Sequence, residues 1–233
     1  MSFDLNNNAL AAEYVSTPAE RNKVLRNTYA LLGLSMIPTV IGAAAGVFFN
    51  LGLLMRASPM ISMIVFLAGA FGLMYMVEKN RDRSAGVAWL MAFTLFMGVM
   101  LSMTLSRILG YKNGGELIML AFGGTATVFV AMAAIASRVK SDLSGMHKFL
   151  MIGALVLFVA MIANIFLAIP ALTLTILAAV VLLFSAFLMY DLNKIMTGGE
   201  TNYISATLNV YLDIYNIFSA LLQLLGIGGG SKD

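Results

Sequence analysis

The chain has 233 residues, of which 61% are hydrophobic and 11% charged, with a formal net charge of +3 and no cysteine. Soluble domains carry about 25% charged residues, so this composition excludes a water-soluble fold and predicts an all-α integral membrane protein. The small net charge gives no indication of nucleic acid binding, and a chain without cysteine has no disulfides and no thiolate metal sites.

Seven segments are long and apolar enough to cross a membrane. The first 27 residues are polar or mixed, lack the apolar core of a cleavable signal peptide, and are predicted to form a cytoplasmic tail. Each later crossing needs about 20 apolar residues. The segments that qualify are 28–51, 59–78, 85–107, 116–137, 149–169, 171–191 and 204–226. They form one transmembrane domain over 28–226, followed by a short C-terminal tail at 227–233.

Prolines and charged turns separate these segments. Pro59 opens the second segment, and Pro170 divides the apolar run 149–191, which is too long for one span, into a predicted helical hairpin. The turn "TGGETN" (197–202) separates the last two segments. An alternative is that the fifth and sixth segments form a re-entrant pair, which would move the C-terminus to the other side of the membrane.

Basic residues orient the chain. With a cytoplasmic N-terminus, the cytoplasmic segments hold ten lysines and arginines: Arg21, Lys23, Arg26, Lys79, Arg81, Arg83, Arg138, Lys140, Lys148 and Lys194. The opposite side holds four: Arg56, Arg107, Lys112 and Lys232. Positive charge concentrates on the cytoplasmic side of membrane proteins. The sequence therefore predicts an N-terminus inside and, with seven spans, a C-terminus outside.

The seventh segment differs from the others because it carries a polar stripe. At helical spacing this stripe contains Ser205, Asn209, Asp213, Asn216, Ala220 and Gln223. An aspartate at the centre of a span facing lipid costs about 2.5–3.5 kcal/mol even on the permissive insertion scale. The stripe is therefore predicted to face the inside of the bundle, in a central or nearly central helix.

Asp191 is the predicted partner of Asp213. The turn makes the last two segments antiparallel neighbours, and their distances from the turn place the two carboxylates about 7 Å apart in depth. Two carboxylates in a poorly hydrated site titrate as a coupled pair and share a proton. When deprotonated, they would attract a hard cation such as Ca²⁺. The pair is thus a candidate proton sensor and cation site.

Other polar residues lie near these acids and have alternative interpretations. Candidate supporting residues are Tyr190, Asn193, Lys194, Asn209 and Asn216, and Asn164 is a further oxygen donor for a cation path. A structural alternative is that Asp191 simply pairs with Lys194 and that hydroxyls and amides hold Asp213 as a packing device. Tyr190, Tyr211 and Tyr215 serve equally well as packing residues or as hydrogen-bond donors to the acids.

No enzymatic site is predicted. The single histidine, His147, lies in the charged segment "SGMHKF" (144–149), where a solvated side chain is expected. The sequence has no nucleophile–His–acid set, no HExxH motif and no phosphate-binding glycine loop. The last span contains no lysine for a Schiff base, which excludes a retinal-type photoreceptor. No cofactor is expected, and Ca²⁺ enters only as a permeant ion.

Five motifs spread over the chain resemble the Bax inhibitor-1/YccA family. They are "KVLRNTYALL" (23–32), "LAFGGTATVF" (120–129), "YDLNKI" (190–195), "GGETNYISAT" (198–207) and "YLDIYNIF" (211–218). The first and fourth are most similar to the proteobacterial YccA branch. The resemblance implies seven helices with the last one central and wrapped by the other six, in the bacterial inner membrane.

The resemblance also implies a function and leaves a second one open. Family members are described as pH-sensitive Ca²⁺ leak channels with a paired-aspartate sensor, which corresponds to Asp191 and Asp213. Their sensor is joined by an arginine near the end of the second span, for which Lys79, Arg81 and Arg83 are the candidates here. Some members of the YccA branch lack both acids and restrain the membrane protease FtsH, so the FtsH complex is a second candidate partner beside the lipid bilayer, Ca²⁺ and H⁺.

Overall fold

The computed structural model describes residues 17–52, 57–139 and 143–230. Within these ranges the chain forms seven long helices. They are α1 (Pro18–Phe48), α2 (Pro59–Lys79), α3 (Ser84–Ile108), α4 (Gly114–Arg138), α5 (Ser144–Leu167), α6 (Pro170–Thr197) and α7 (Tyr203–Gly229). All seven are long and apolar enough to cross a membrane. The predicted seven-helix membrane fold is confirmed.

The first helix begins at Pro18, inside the segment that the sequence predicted as tail. Proline suits the first turn of a helix because the missing N–H has no partner there. Thr17 accepts a hydrogen bond from the backbone N–H of Glu20, and the Glu20 carboxylate accepts one from the backbone N–H of Thr17. This capping box starts α1 well before residue 28. Residues 1–16 of the predicted tail and the predicted C-terminal residues 231–233 lie outside the described residues.

Pro170 begins α6 after a two-residue turn, as predicted. α5 ends at Leu167, and Ala168 adopts a left-handed conformation with φ of 50°. The side-chain amide of Asn164 donates to the Thr173 hydroxyl at 2.7 Å and accepts from the backbone N–H of Ile169 at 3.1 Å. Asn164 therefore closes this hairpin, and its amide is engaged there; its role as an oxygen donor for a cation path stays a prediction.

The turn between α6 and α7 is set by a glycine and an asparagine. Gly198 has φ of 87°, a conformation that side chains with a Cβ rarely adopt, and it ends α6. Asn202 then caps α7 by accepting hydrogen bonds from the backbone N–H groups of Ile204 and Ser205. Its amide nitrogen donates to the carboxylate of Asp82, which ties the turn to the loop after α2.

The helices pack unequally around α7. It contacts α1, α2, α3, α4 and α6, whereas α5 contacts only α6 among the described helices. Large apolar side chains such as Phe71 and Phe166 are exposed, and in a membrane these surfaces face lipid. Wrapping of the last helix by all six others, which the resemblance implies, stays a prediction.

Candidate functional site

Asp213 lies in the middle of α7 and is buried. Its residue is only 3% exposed, and its Oδ2 atom has no hydrogen-bond partner among the described residues. Two neighbouring tyrosines fix the rotation of the helix around this position. The Tyr211 hydroxyl forms a hydrogen bond of 2.9 Å with the Thr39 hydroxyl on α1, and the Tyr215 hydroxyl donates to the Met97 carbonyl on α3 at 3.1 Å. Because these two tyrosines of α7 contact α1 and α3, Asp213 is turned toward α6.

The Asp191 side chain on α6 meets Asp213. The two carboxyl groups lie close enough to interact electrostatically, and Asp191 is only partly exposed. Two carboxylates at this separation repel unless one of them carries a proton, in which case the protonated group donates to the other. An arrangement of this kind can hold one proton between two acids. The structure brings together the two acids that the sequence had paired.

Lys194, one helical turn after Asp191, forms its ion pair elsewhere. Its ammonium lies 3.3 Å from the carboxylate of Glu200, which lies in the turn after α6. Glu200 is held in place because its backbone N–H donates to the Lys194 carbonyl and its carboxylate accepts from the backbone N–H of Asn202. The alternative pairing of Lys194 with Asp191 is not the ion pair of this structure. The charges of Lys194 and Glu200 nevertheless both reach Asp191.

Asn193 and Tyr190 belong to other contacts. The Asn193 amide donates to the carbonyls of Ala136 and Val139 at 3.3 and 2.6 Å, which caps the C-terminal end of α4. The Tyr190 ring stacks on His147 with ring centroids 5.2 Å apart, and it packs in an apolar cluster with Leu150. Both residues lie beside Asp191 in the sequence, but these contacts direct them to α4 and α5.

The other amides of the α7 stripe are less engaged with distant helices. Asn216 donates to the Leu212 carbonyl of its own helix at 2.8 Å, and Gln223 donates to the Ser219 carbonyl at 3.1 Å. Asn209 is half-buried, and its side chain forms no hydrogen bond within the described ranges. Asn209 and Asn216 thus lie one turn from Asp213 on either side and stay candidates for supporting oxygens.

The three candidate basic residues at the end of α2 and in the loop after it have their recorded contacts away from the acid pair. Arg81 forms ion pairs with Glu78 and Asp82 at 3.3 and 4.0 Å. The Lys79 ammonium lies 5.8 Å from the centre of the Tyr75 ring, and Arg83 precedes the first residue of α3. Among the described residues, Lys194 is the basic residue whose charge reaches Asp191. None of the three candidates occupies that position in this structure.

Glu200 is a site residue that sequence reasoning missed. It stands in "TGGETN", which the sequence analysis treated only as a turn. The acidic residue six positions after Lys194 was the available signal, because a helix that ends at a glycine folds the chain back onto its own last turn. Glu200 also lines a cleft of about 360 Å³ with Glu20, Arg21 and Lys23 of α1 and with Thr201 and Tyr203.

The donor set limits what the acid pair binds. The described residues contain no group of three or more histidines, cysteines or carboxylates that would hold a metal tightly. Two carboxylates alone leave most of the six to eight oxygen positions of Ca²⁺ to carbonyl groups and water. A proton or a hard cation can bind to such a donor set.

The fold and this site define a class: seven-helix membrane proteins with a buried acid pair between the last two helices. A sequence model described as "Inhibitor of apoptosis-promoting Bax1" matches residues 21–230. The chain belongs to this Bax inhibitor-1 family.

Similar bacterial proteins cover nearly all of the chain. A protein of Neisseria meningitidis serogroup A is 41% identical over 216 residues, which is 91% of this chain and 94% of that protein. The Escherichia coli K12 protein named "Modulator of FtsH protease YccA" is 40% identical over 205 residues, 88% of this chain and 90% of its own length. Its counterpart in Escherichia coli O6:H1, with the same identity and coverage, is named an inner membrane protein.

Proposed function

We propose that this chain is a proton-gated cation leak pathway, with Ca²⁺ as the permeant ion and Asp191 and Asp213 as the shared proton sensor and cation site. One observation carries this proposal: a buried carboxylate with an unpartnered oxygen meets a second carboxylate on the adjacent helix. Ionisable groups inside a membrane bundle are costly, and they mark ion and proton pathways more often than structural contacts.

Proton and cation compete for the same oxygens in this proposal. Protonation removes the negative charge that draws Ca²⁺ to the pair, so cation binding weakens as the pH falls. The nearby charges that bias this competition are Lys194 and Glu200. On the α2 side, Glu78 is engaged with Arg81 and the Ser205 hydroxyl. We place the chain in the bacterial inner membrane with its N-terminus in the cytoplasm, in line with the distribution of basic residues.

The test is Ca²⁺ flux into proteoliposomes measured across a pH series for wild type and for Asp213→Asn. The substitution removes the shared proton but keeps the size of the side chain. We expect wild-type flux to depend on pH and the variant to lose that dependence, with a change of about tenfold or more at the most responsive pH, as one pKa unit of coupling would give.

Glu116→Gln is the matched control, because it removes one negative charge from an exposed position at the start of α4. It should reproduce the wild-type pH profile. If Asp213→Asn also leaks with the wild-type profile, the acids are not the sensor and the proposal is wrong.

A second candidate function is modulation of the FtsH protease without transport. The observation that favours it is the name of the Escherichia coli relative, "Modulator of FtsH protease YccA", which matches most of this chain. The polar or mixed residues 1–16 precede α1 in the sequence and would be the segment that the protease engages. This function does not require Asp191 or Asp213, so the flux experiment separates the two candidates.

A further inference from the structure

Two carboxylates and one ammonium act electrostatically on Asp191 in the last two turns of α6. Asp213 and Glu200 both act on Asp191, and Lys194 supplies the positive charge that reaches it. The ion pair between Lys194 and Glu200 is 3.3 Å long, and the Glu200 side chain is only 15% exposed. Within the described ranges, the Lys194 ammonium is thus the basic group that acts on Asp191, and it is paired with Glu200.

The position of Lys194 is set from the Glu200 side. The Glu200 backbone N–H donates to the Lys194 carbonyl at 3.2 Å, and its Oε1 accepts from the Asn202 backbone N–H at 2.9 Å. These bonds hold the Glu200 carboxylate next to the last turn of α6, where its Oε2 accepts a hydrogen bond from the Lys194 ammonium. The Lys194 side chain is flexible and rises from the same helix as Asp191, three residues later, a spacing at which side chains on a helix meet.

In the part of the chain that the structure describes, no basic residue other than Lys194 acts on Asp191. The other basic residues near this end are Arg138 at the end of α4, Lys148 near the start of α5, and Arg21 and Lys23 at the start of α1. His147 is stacked on Tyr190. The charges that reach Asp191 in the described ranges come from Asp213, Lys194 and Glu200.

We infer that Lys194 is a movable countercharge with two alternative partners, and that Glu200 is the positioning residue that holds it away from Asp191. While Lys194 pairs with Glu200, the acid pair keeps its negative charge for a cation. When Glu200 is neutralised, the ammonium transfers to Asp191 and competes with that cation. This inference rests on the proposed cation site, and it assigns control of that site to a residue of the turn.

Substitutions of Lys194 and of Glu200 should change the affinity of the acid pair for a cation in opposite directions. Removing the ammonium with Lys194→Met leaves the acid pair more negative, and cation binding should become about five- to tenfold tighter, the effect of one charge a few ångströms away in a partly screened site. The substitution Glu200→Gln removes the carboxylate that holds Lys194, so that the ammonium can pair with Asp191. Cation binding to the acid pair should then weaken by a similar factor. A merely structural role for the ion pair would move both variants in the same direction.

The experiment measures Tb³⁺ luminescence sensitised by the protein's aromatic residues, with the detergent-solubilised full chain titrated with TbCl₃. The component that belongs to the acid pair is the one that Asp213→Asn removes. Arg81→Gln is the matched control, because Arg81 forms an ion pair of the same 3.3 Å length with Glu78 and does not contact the acids. It should leave the acid-pair component unchanged.

Opposite shifts in Lys194→Met and Glu200→Gln, with no shift in Arg81→Gln, support the inference. Shifts of equal sign, no shift, or no component that depends on Asp213 overturn it. Tb³⁺ binding is measured independently of transport. Opposite affinity shifts in a protein without pH-dependent Ca²⁺ flux would therefore support Lys194 as the countercharge and contradict the leak function. pH-dependent Ca²⁺ flux together with unshifted Tb³⁺ binding would support the leak function and contradict the countercharge inference.

Discussion

At the scale of single residues, neighbours in the sequence serve different structural purposes. Asp191 meets Asp213, Asn193 caps α4, and Lys194 pairs with Glu200. Helical geometry places consecutive side chains about 100° apart, so each faces a different neighbour. The residues of the motif "YDLNKI" therefore contact several different parts of the structure, although they lie within about two turns of one helix.

Asn193→Ala is expected to destabilise the fold and to leave the acid pair unchanged. The side chain is 2% exposed, and its loss leaves the Ala136 and Val139 carbonyls without this donor. An unpaired buried polar group costs about 1–3 kcal/mol. The unfolding midpoint in detergent should fall by several degrees, while the pH profile of Ca²⁺ flux stays that of wild type.

The control is Asn216→Ala, because the Asn216 amide donates only to the Leu212 carbonyl, which already lies in the ladder of its own helix. Its unfolding midpoint should change less. An Asn193→Ala protein with wild-type stability, or with an altered pH profile, would return Asn193 to the cation site for which the sequence had nominated it.

At the scale of helices, α1 and α3 form the closest pair, and small residues let their backbones meet. A Cβ on Gly42 would collide with the Leu95 carbonyl, and one on Gly98 would collide with the Thr39 carbonyl. Membrane helices use such small residues for close approach because apolar side chains gain little by leaving lipid. This contact also positions Thr39, the partner of Tyr211 beside the acid.

Gly42→Val should therefore loosen the α1–α3 contact and lower stability by about 1–3 kcal/mol, the usual cost of overpacking. The backbone atoms that it would meet cannot move aside as a flexible side chain would. Thermal unfolding in detergent measures the effect. Gly33→Val is the control on the same helix, since nothing lies within 4 Å of a Cβ at Gly33. Equal loss of stability in both variants would contradict the close-packing explanation.

At the scale of the whole molecule, the arrangement of α5 to α7 separates a lipid-facing side from the side that carries the acid pair. α5 contacts only α6 among the described helices, and much of its surface is exposed. α7 contacts five helices and carries the buried acid. Substitutions that keep α5 apolar are consequently better tolerated than substitutions on α7.

The N-terminal segment belongs to this scale because it concerns partners outside the bundle. If the chain modulates FtsH, deletion of residues 2–12 should change its half-life or its recovery with FtsH in a pull-down, since a processive protease needs a free segment to engage. Replacement of the same residues by a glycine–serine segment of equal length tests whether length or sequence matters. Unchanged half-life and recovery in the deletion would count against this function.

The sequence by itself determined the seven helices, the hairpin at Pro170 and the pairing of the last two helices, because hydropathy and turn chemistry are local properties. It also indicated that Asp213 must leave the lipid, since the cost of exposing it there is large. The early start of α1 escaped it because a polar first turn has no hydropathy signal, although Thr17, Pro18 and Glu20 spell a capping box.

Only the tertiary structure decided which partner each polar side chain takes. Lys194 could reach Asp191 or Glu200, and Asn193 could face the acid or the end of α4; the rotation of α6 against α4 and the fold of the turn chose between them. Helix rotation depends on packing summed over many residues from distant parts of the chain. No single motif determines that packing. The sequence offered Glu200 as a possible partner of Lys194, and only the tertiary structure showed that the two residues pair.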